Sequence, residues 1–262
     1  MRLITHLGET FWAQWNEVRH EAAVMGTVFC VGIRPSYWVR AVRRTFVRQV
    51  LAIAIEPLWF VSAIAVFVGI SVVVQLIFWL GEVGQSQLAG PLLVTVVARE
   101  LGPVLVNLVV IVRTGSAMTS ELGHLKISGE TATLESQGGD LFLQLVVPRV
   151  LGIAVSTFCL TVAFILIAFV SGYVFAAWIG KGSSDLLLFA DTVSNAVHPK
   201  DVINILAKSI LPALFASATC CVAGLSVGDS AEEIPKATQR ALTRSIGGLF
   251  VISAVVSLLT YL

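Results

Sequence analysis

The chain has 262 residues, of which 56% are hydrophobic and 13% charged, and its mean hydropathy is +0.89. An ordinary soluble domain carries roughly 25% charged residues, so this composition excludes a water-soluble fold, whose interior would have to hide too much apolar surface. The 17 basic and 16 acidic side chains give a net charge of +1, which offers no electrostatic support for a nucleic-acid partner.

The N-terminal segment, residues 1–49, is predicted to lie on the membrane surface rather than to cross it. Apolar residues recur there at helical spacing with polar residues between them, a pattern typical of a helix in the interface. These apolar residues are Phe11, Trp12, Trp15, Val18 and Ala22. The alternative is a soluble helix that packs on a partner protein. Residues 50–262 are predicted to form the membrane domain.

Five segments are apolar and long enough to cross a bilayer, whose hydrocarbon core of about 30 Å requires about 20 residues of helix. Their predicted bounds are about 58–80, 91–112, 150–180, 202–228 and 245–262. An odd number of spans argues against an inverted duplication of the whole chain, so a symmetric pathway would need two copies of it. The predicted fold class is an all-α membrane protein with five transmembrane helices and an N-terminal interfacial helix.

Lys and Arg are distributed unevenly between the loops, and this asymmetry predicts the orientation. One set of connections carries 11 of them and the other carries two, Lys181 and Lys200. Because basic loops resist translocation, the N-terminus is predicted to be cytoplasmic. Five spans then place the C-terminus on the opposite side.

The strongest functional signal is a pair of charges inside the second span, Arg99 and Glu100. Each charge at a helix centre costs about 3 kcal/mol even on a lenient insertion scale. Adjacent residues point about 100° apart, so the two side chains cannot neutralise each other, and at least one is expected to face a polar cavity or another chain. The structural alternative is an ion pair that joins helices. Gly102 and Pro103 follow at once, so a break or kink is predicted there.

Three further positions in the spans are candidates. Lys208 lies early in the fourth span, where its amine is expected either to reach the interface or to meet an anionic headgroup. Gln75, late in the first span, is more typical of a hydrogen bond between helices than of a ligand contact. Gly69 and Gly172 are expected to permit close packing of helices.

The connection between the second and third spans is about 37 residues long, too long for a plain turn. Its centre, ISGETATLESQGGD, predicts a short helix that ends at Gly138 and Gly139. Such a helix at the base of a membrane domain would suit contact with a soluble partner, and the alternative is a solvated loop. The chain contains no GxxxxGK[ST] phosphate loop, so ATP hydrolysis is not predicted in it. No metal site is predicted either, because the histidines are scattered.

The segment RELGPVLVNLVVIVRTGSAMTSELG, Arg99 to Gly123, closely resembles a motif of the MlaE/YrbE permease family. This is the family of membrane subunits of ABC transporters that work with MCE-domain lipid-binding proteins. Shorter stretches agree as well, namely FVGISVVVQ from Phe67, VPR ending at Arg149, NILAKS from Asn204 and KATQRALTRS from Lys236. The resemblance covers nearly the whole chain from about Val47.

The resemblance implies a homodimer in the inner membrane of a bacterium, with the C-terminus in the periplasm. It implies a separate ABC ATPase that holds ATP and Mg, a hexameric MCE-domain protein on the outer side, and phospholipid bound between the two copies. It leaves open whether a small STAS-type regulatory subunit binds. The implied function is a permease that moves phospholipid. The alternatives are a membrane scaffold without transport and a solute channel.

Residue by residue, the resemblance places Arg99 and Glu100 on the polar pair of the lipid cavity, with Arg99 as the natural phosphate contact. Lys208 matches a lysine near that cavity, and Gly69 and Gln75 lie in the matching part of the first span and are counted with it. The coupling segment, about 120–145, is expected to dock on the ATPase. Its candidate contact residues are Glu130, Leu134, Glu135 and Asp140.

Overall fold

The computed structural model describes residues 23–28, 40–83, 89–138, 140–179, 191, 193–228 and 230–262. Regular structure in these residues is helical throughout, which confirms the all-α class. The predicted interfacial helix, from Phe11 to Ala22, lies outside the described residues.

Within the described residues, five long helices are apolar enough to cross a membrane, as the sequence predicts. A shorter helix, α1 (Arg40–Ile55), precedes them and runs through the predicted boundary at residues 49 and 50. The spans in chain order are span 1 (Leu58–Val83), span 2 (Pro91–Ile127), span 3 (Phe142–Trp178), span 4 (Pro199–Leu225) and span 5 (Glu233–Tyr261). A further helix, α2 (Glu130–Ser136), lies between spans 2 and 3.

Spans 2 and 3 contain π-helical segments, in which the hydrogen bonds reach back five residues instead of four. The segments are Val94–Leu101 and Ile111–Gly115 in span 2 and Phe142–Val146 at the start of span 3. The intervening α-helical parts of span 2 are Gly102–Val110 and Ser116–Ile127. Such segments often accompany functional sites, so their position relative to the charged residues is informative.

Three spans extend by two helical turns or more beyond one end of their apolar runs. Span 2 continues as helix to Ile127 rather than ending near 112, span 3 begins at Phe142 rather than near 150, and span 5 begins at Glu233 rather than near 245. The added turns carry charged side chains such as Lys126 and Arg240. Helical hydrogen bonding continues where the hydrocarbon ends, so a count of apolar residues finds the membrane-crossing part and not the end of the helix.

The spans place small polar side chains inside and large apolar side chains outside. Trp59 and Phe67 are 85% and 74% exposed, whereas Thr157 and Ser209 are fully buried. Most of the buried hydroxyl groups bond to carbonyls of their own helix, as when Thr157 Oγ1 donates to the Ile153 carbonyl at 2.7 Å, and others donate to a carbonyl of a neighbouring helix. This arrangement suits a chain surrounded by lipid, where close packing and polar contacts hold helices together.

Span 4 is the centre of the bundle. In its most apolar stretch 61% of the residues are buried, compared with 22% in spans 1 and 5. It packs against spans 2, 3 and 5. Side chains on span 4 can therefore meet several neighbouring helices at once.

Spans 1 and 3 approach closely because glycine occupies the contact position in both. A Cβ atom on Gly69 would lie 2.8 Å from the Cα of Ala168 and 2.7 Å from Ser171 Oγ. A Cβ atom on Gly172 would lie 2.5 Å from Val73 Cγ2. The predicted packing role of Gly69 and Gly172 is confirmed.

We expect Gly69→Ala to destabilise the protein by about 1–3 kcal/mol, because the added methyl group meets backbone that cannot move aside cheaply. Thermal unfolding of the purified protein would show this as a lower Tm. Gly247→Ala is the matched control, since a Cβ atom at that position meets nothing within 4 Å. An unchanged Tm for Gly69→Ala would contradict the close contact of spans 1 and 3.

Candidate functional site

Span 2 changes its hydrogen bonding at the charged pair. The π-helical segment Val94–Leu101 contains both charges, and the N–H of Gly102 donates to the carbonyl of Val97, five residues back. The α-helix resumes at Gly102. The helix is not interrupted at Pro103, because the wider turn lets it continue past a residue that lacks an N–H, and the alternative of a kink stays a prediction.

Arg99 and Glu100 pair with two different residues of span 4. The Arg99 guanidinium meets both carboxylate oxygens of Asp201, with Nε 2.9 Å from Oδ1 and Nη2 2.9 Å from Oδ2. The Nη2 contact is a hydrogen bond, whereas the Nε contact is electrostatic without hydrogen-bond geometry. Glu100 Oε2 lies 2.7 Å from Lys208 Nζ. The prediction that the adjacent charges do not neutralise each other is confirmed.

The two partners on span 4 are placed by helical periodicity. Asp201 and Lys208 are seven residues apart in one helix. Seven residues make about two turns, so both side chains lie on the same face of span 4. One face of span 4 therefore supplies the ion-pair partners of both charges of span 2. This is the alternative of an ion pair that joins helices.

Burial divides the four charges into an inner and an outer group. The Asp201 and Lys208 side chains are 1% and 0% exposed, whereas those of Arg99 and Glu100 are 18% and 49% exposed. Lys208 therefore does not extend to the interface, contrary to one of the two expectations for its amine. Half of the Glu100 side chain and a small part of the Arg99 side chain can therefore be contacted from outside the chain.

Two prolines leave two backbone carbonyls without their usual donors, and the opposite span supplies replacements. Pro103 has no N–H to offer the carbonyl of Arg99, its partner in an α-helix, or that of Ala98, its partner in the five-residue hydrogen bonding of this segment. Lys208 Nζ donates to the carbonyl of Arg99 at 3.1 Å. Pro212 likewise offers no N–H to the carbonyl of Lys208, to which Asn107 Nδ2 donates at 3.1 Å. We call this arrangement the reciprocal proline contact.

The end of span 5 closes the site. Tyr261 Oη donates to Asp201 Oδ1 at 3.0 Å and accepts a hydrogen bond from Asn204 Nδ2 at 3.0 Å. The guanidinium carbon of Arg99 lies 5.3 Å from the centre of the Tyr261 ring, within the range of a cation–π interaction. Arg99 is therefore held on one side by a carboxylate and on another by an aromatic face.

Asp201 also fixes the start of span 4. Its Oδ2 accepts from the backbone N–H of His198 at 2.8 Å, which is one half of a capping box. One carboxylate thus defines the end of a helix and orients Arg99. On the exposed side, Ser257 Oγ donates to Glu100 Oε1 at 2.9 Å. We define the polar cluster as Arg99, Glu100, Asp201, Asn204, Lys208, Ser257 and Tyr261.

Sequence reasoning does not identify Asp201, Asn107 or Tyr261. Asp201 lies just outside the apolar run that predicts span 4, at a position typical of a helix start. Asn107 carries no charge, so no large insertion penalty marks it. The usable signal is spacing, because Asn107 lies four residues after a proline in one span and Lys208 four residues before a proline in another.

The structure does not join Gln75 or Gly69 to the polar cluster. Gly69 faces span 3, and Gln75 is exposed on span 1. Among the contacts of the described residues, neither bonds to Arg99 or Glu100. A contact of these two positions with bound lipid stays a prediction.

The connection between spans 2 and 3 folds as a turn, a short helix and a second turn. Glycines in the left-handed conformation bracket α2, with φ 76° at Gly129 and φ 78° at Gly138. This conformation favours glycine because it has no Cβ atom. The predicted helix and its stop at Gly138 are confirmed.

The helix α2 leaves most of its surface outside the chain. None of its residues is buried, Glu130 and Glu135 are exposed, and Leu134 is half-buried. Asp140, the fourth candidate contact, caps the next helix by accepting from the N–H of Phe142 at 2.9 Å. The acidic and apolar side chains of α2 are therefore available to a partner protein.

We expect Asn107→Ala to destabilise the protein by about 1–3 kcal/mol, because the buried carbonyl of Lys208 loses its donor. In a Pro212→Ala background, residue 212 regains an N–H that can bond to this carbonyl. The same Asn107→Ala change is then expected to cost about 1 kcal/mol less. The free energies of unfolding of the unchanged protein, the two single variants and the double variant give the coupling between Asn107 and Pro212.

Thr157→Ala is the control for loss of a buried polar group, since its hydroxyl bonds only to a carbonyl of its own regular helix. Its effect is expected to be the same with Pro212 or Ala at position 212. Equal losses for Asn107→Ala in both backgrounds would contradict the reciprocal proline contact.

The family described as Permease MlaE matches residues 46–259 of the chain. This range holds α2 and almost all of the five spans. It also holds the two prolines and every member of the polar cluster except Tyr261.

Relatives from several organisms match as well. The chain is 28% identical over 73% of its length to the protein TRIGALACTOSYLDIACYLGLYCEROL 1, chloroplastic, of Arabidopsis thaliana, and spans 54%, about half, of that longer protein. It is 25% identical to a probable ABC transporter permease protein of Rickettsia felis, over 81% of this chain and 80% of the relative. It is 25% identical to the intermembrane phospholipid transport system permease protein MlaE of Haemophilus influenzae, over 80% of this chain and 81% of the relative. The chain belongs to the MlaE permease family.

Proposed function

We propose that the chain is the permease subunit of an ABC transporter, and that two copies move phospholipid between the inner membrane and an MCE-domain partner. A separate ATPase supplies the energy. The observation that carries this proposal is the polar cluster, which holds two cations and two carboxylates among apolar spans while Glu100 stays half-exposed. Charges within spans are costly and typically mark substrate pathways.

The relatives support the substrate class and the energy source. The Haemophilus protein is named as an intermembrane phospholipid transport permease, and the Rickettsia protein as a probable ABC transporter permease. A phospholipid also fits the chemistry of the site, because it joins a phosphate to apolar chains and the polar cluster lies beside lipid-facing helices.

Arg99 is the proposed phosphate contact. Its guanidinium is oriented by Asp201 and by the ring of Tyr261, and its side chain is 18% exposed. A guanidinium fork that is oriented in advance binds phosphate with two donors and loses less conformational freedom on binding. In this proposal Asp201 and Tyr261 are positioning residues.

Glu100 is the proposed exchangeable partner of the cluster. Its carboxylate neutralises the fully buried amine of Lys208, yet it is 49% exposed. Rotation of Glu100 toward the outside would leave Lys208 Nζ without a carboxylate, and a phosphate beside Arg99 would then take its place. This exchange keeps the buried cation paired at each stage, as burial of a charge requires.

In this proposal a second copy of the chain completes the chamber in which the lipid binds. Leu258, which follows the cluster residue Ser257 near the end of span 5, is 61% exposed. A symmetric partner facing this surface would give apolar walls for acyl chains beside a polar site for the headgroup. The proposed orientation puts this end of the bundle at the periplasmic side, where an MCE-domain protein would receive lipid.

The helix α2 is the proposed contact with the ATPase. It follows span 2 after a two-residue turn, and span 2 is continuous helix from Ile127 back to the charged pair. A displacement of α2 is thereby transmitted along one helix to Arg99 and Glu100, roughly 40 Å away. The π-helical segments of span 2 are places where its register can shift.

The double change Arg99→Ala, Glu100→Ala is expected to reduce ATP-driven phospholipid transfer at least about tenfold, the effect of losing one charge-assisted hydrogen bond. The measurement uses the purified transporter with its ATPase in vesicles and follows a fluorescent phospholipid. Arg44→Ala, an exposed arginine of α1, is the control and is expected to transfer lipid normally. Normal transfer by the double variant would contradict a role of the polar cluster in the lipid pathway. If the double variant assembles poorly but each assembled complex transfers lipid normally, the scaffold function is favoured instead.

Leu134→Asp is expected to weaken binding of the ATPase at least about tenfold, because it puts a charge at the apolar centre of the proposed contact. Folding is not expected to change, since no residue of α2 is buried. Ser136→Asp adds the same charge on the opposite face of α2 and is expected to bind normally. Co-purification of the ATPase with each variant measures the difference, and equal binding by both variants would contradict the assigned contact.

A further inference from the structure

A second charged site lies toward the other end of span 2. A cleft of about 350 Å³ opens between α1, span 2 and the start of span 3. Arg113, on its wall, follows Arg99 by 14 residues, which is about 21 Å along a helix, so the cleft is separate from the polar cluster. The cleft combines charged with apolar residues, among them Glu56, Arg113, Glu121, Arg149, Ile53 and Met118.

Arg149 is buried in this cleft with part of its hydrogen-bonding capacity unused. Its side chain is 7% exposed, and Nη2 donates to Glu121 Oε1 at 2.6 Å. The Nη1 group is buried and has no partner among the described residues. A buried donor without an acceptor is unfavourable, so a shift of the Arg149 side chain that brought Nη1 to an acceptor on a ligand in the cleft would be favoured.

The second ion pair of the cleft is loose. Arg113 Nη2 lies 3.9 Å from Glu56 Oε2, and the two side chains are 50% and 68% exposed. A pair at this separation and exposure contributes little to stability. A ligand can therefore separate the pair at low cost, with an anionic group on the guanidinium and a cationic group on the carboxylate.

The cleft lies where the chain meets lipid. The helix α1 lines the cleft with one face, and its opposite face carries Val47, Leu51 and Ile55, which are 49%, 54% and 64% exposed. An exposed apolar row of this kind is typical of a helix in contact with a membrane. Glu56 and Pro57, both on the wall of the cleft, join α1 directly to span 1. The mouth of the cleft is therefore at the level where the helices enter the bilayer.

We propose that this cleft binds the headgroup of a zwitterionic phospholipid from the leaflet at the basic end of the bundle. The phosphate contacts Arg113 and Arg149, and the ammonium contacts Glu56 and Glu121. The two cations and two carboxylates balance, which favours a zwitterion, because a site for a net anion would carry a surplus of positive charge. The volume is within the range of about 300–1,000 Å³ for small-molecule sites, so it holds a headgroup while the acyl chains lie along the membrane side of α1.

Photolabelling of the intact transporter tests this site. The transporter with its ATPase is placed in nanodiscs that contain phosphatidylethanolamine with a photoreactive headgroup, and labelled peptides are mapped. We expect labelling of peptides that line the cleft, and a decrease of about tenfold in the double variant Glu56→Gln, Arg113→Gln. Both side chains are exposed, so the fold is expected to survive. Arg44→Gln, on α1 outside the cleft, is the control for loss of a surface charge.

Each other outcome overturns a defined part of the proposal. Equal labelling by a photoreactive phosphatidylglycerol would overturn the preference for a zwitterion. Efficient competition by soluble phosphoethanolamine would overturn a membrane source for the ligand. Absence of labelling in the cleft, or unchanged labelling in the double variant, would overturn the site. The Arg99→Ala, Glu100→Ala protein is expected to keep cleft labelling, so failure of the cleft and failure of the proposed transport role are distinguishable.

Discussion

The packing of span 2 against span 4 depends on the donors that two prolines remove. Water cannot reach a backbone carbonyl within hydrocarbon, so each carbonyl freed by a proline needs a partner from the protein. Lys208 supplies one and Asn107 supplies the other, each across the interface between the two spans. These two bonds fix the register of the spans. The ion pairs of Arg99 and Glu100 follow from that register.

Lys208 links the exposed carboxylate of the polar cluster to the backbone of span 2. Lys208 Nζ contacts the carboxylate of Glu100 and the carbonyl of Arg99. A phosphate that replaces Glu100 would therefore act on the π-helical segment of span 2 as well as on a side chain. Span 2 leads without interruption to the turn before α2. In the proposed mechanism, headgroup binding and movement of the ATPase contact are coupled through this one helix.

Hydropathy and charge were sufficient to predict the number of spans and the short helix of the connection, because these features depend on local composition and on glycine at Gly138. They were insufficient for the partners of the charged pair. Asp201 lies 102 residues from Arg99, and no periodicity within either segment shows which faces of two distant helices meet. The resemblance to a family identified Arg99, Glu100 and Lys208 as important without giving their pairing. The sequence does not mark Asn107 as a partner, because an uncharged amide carries no large insertion penalty. Its only signal is its position four residues after Pro103.

In the proposed mechanism, Arg99 and Glu100 face a chamber that lipid enters. The most direct test is a cryo-electron microscopy structure of the dimer with its ATPase in lipid nanodiscs, at a resolution that shows a phosphate. The predicted result is a phosphate beside the Arg99 guanidinium, with Lys208 still bonded to the Arg99 carbonyl. A structure in which side chains of the second copy cover Arg99 and Glu100, with no lipid-accessible space beside them, would contradict it.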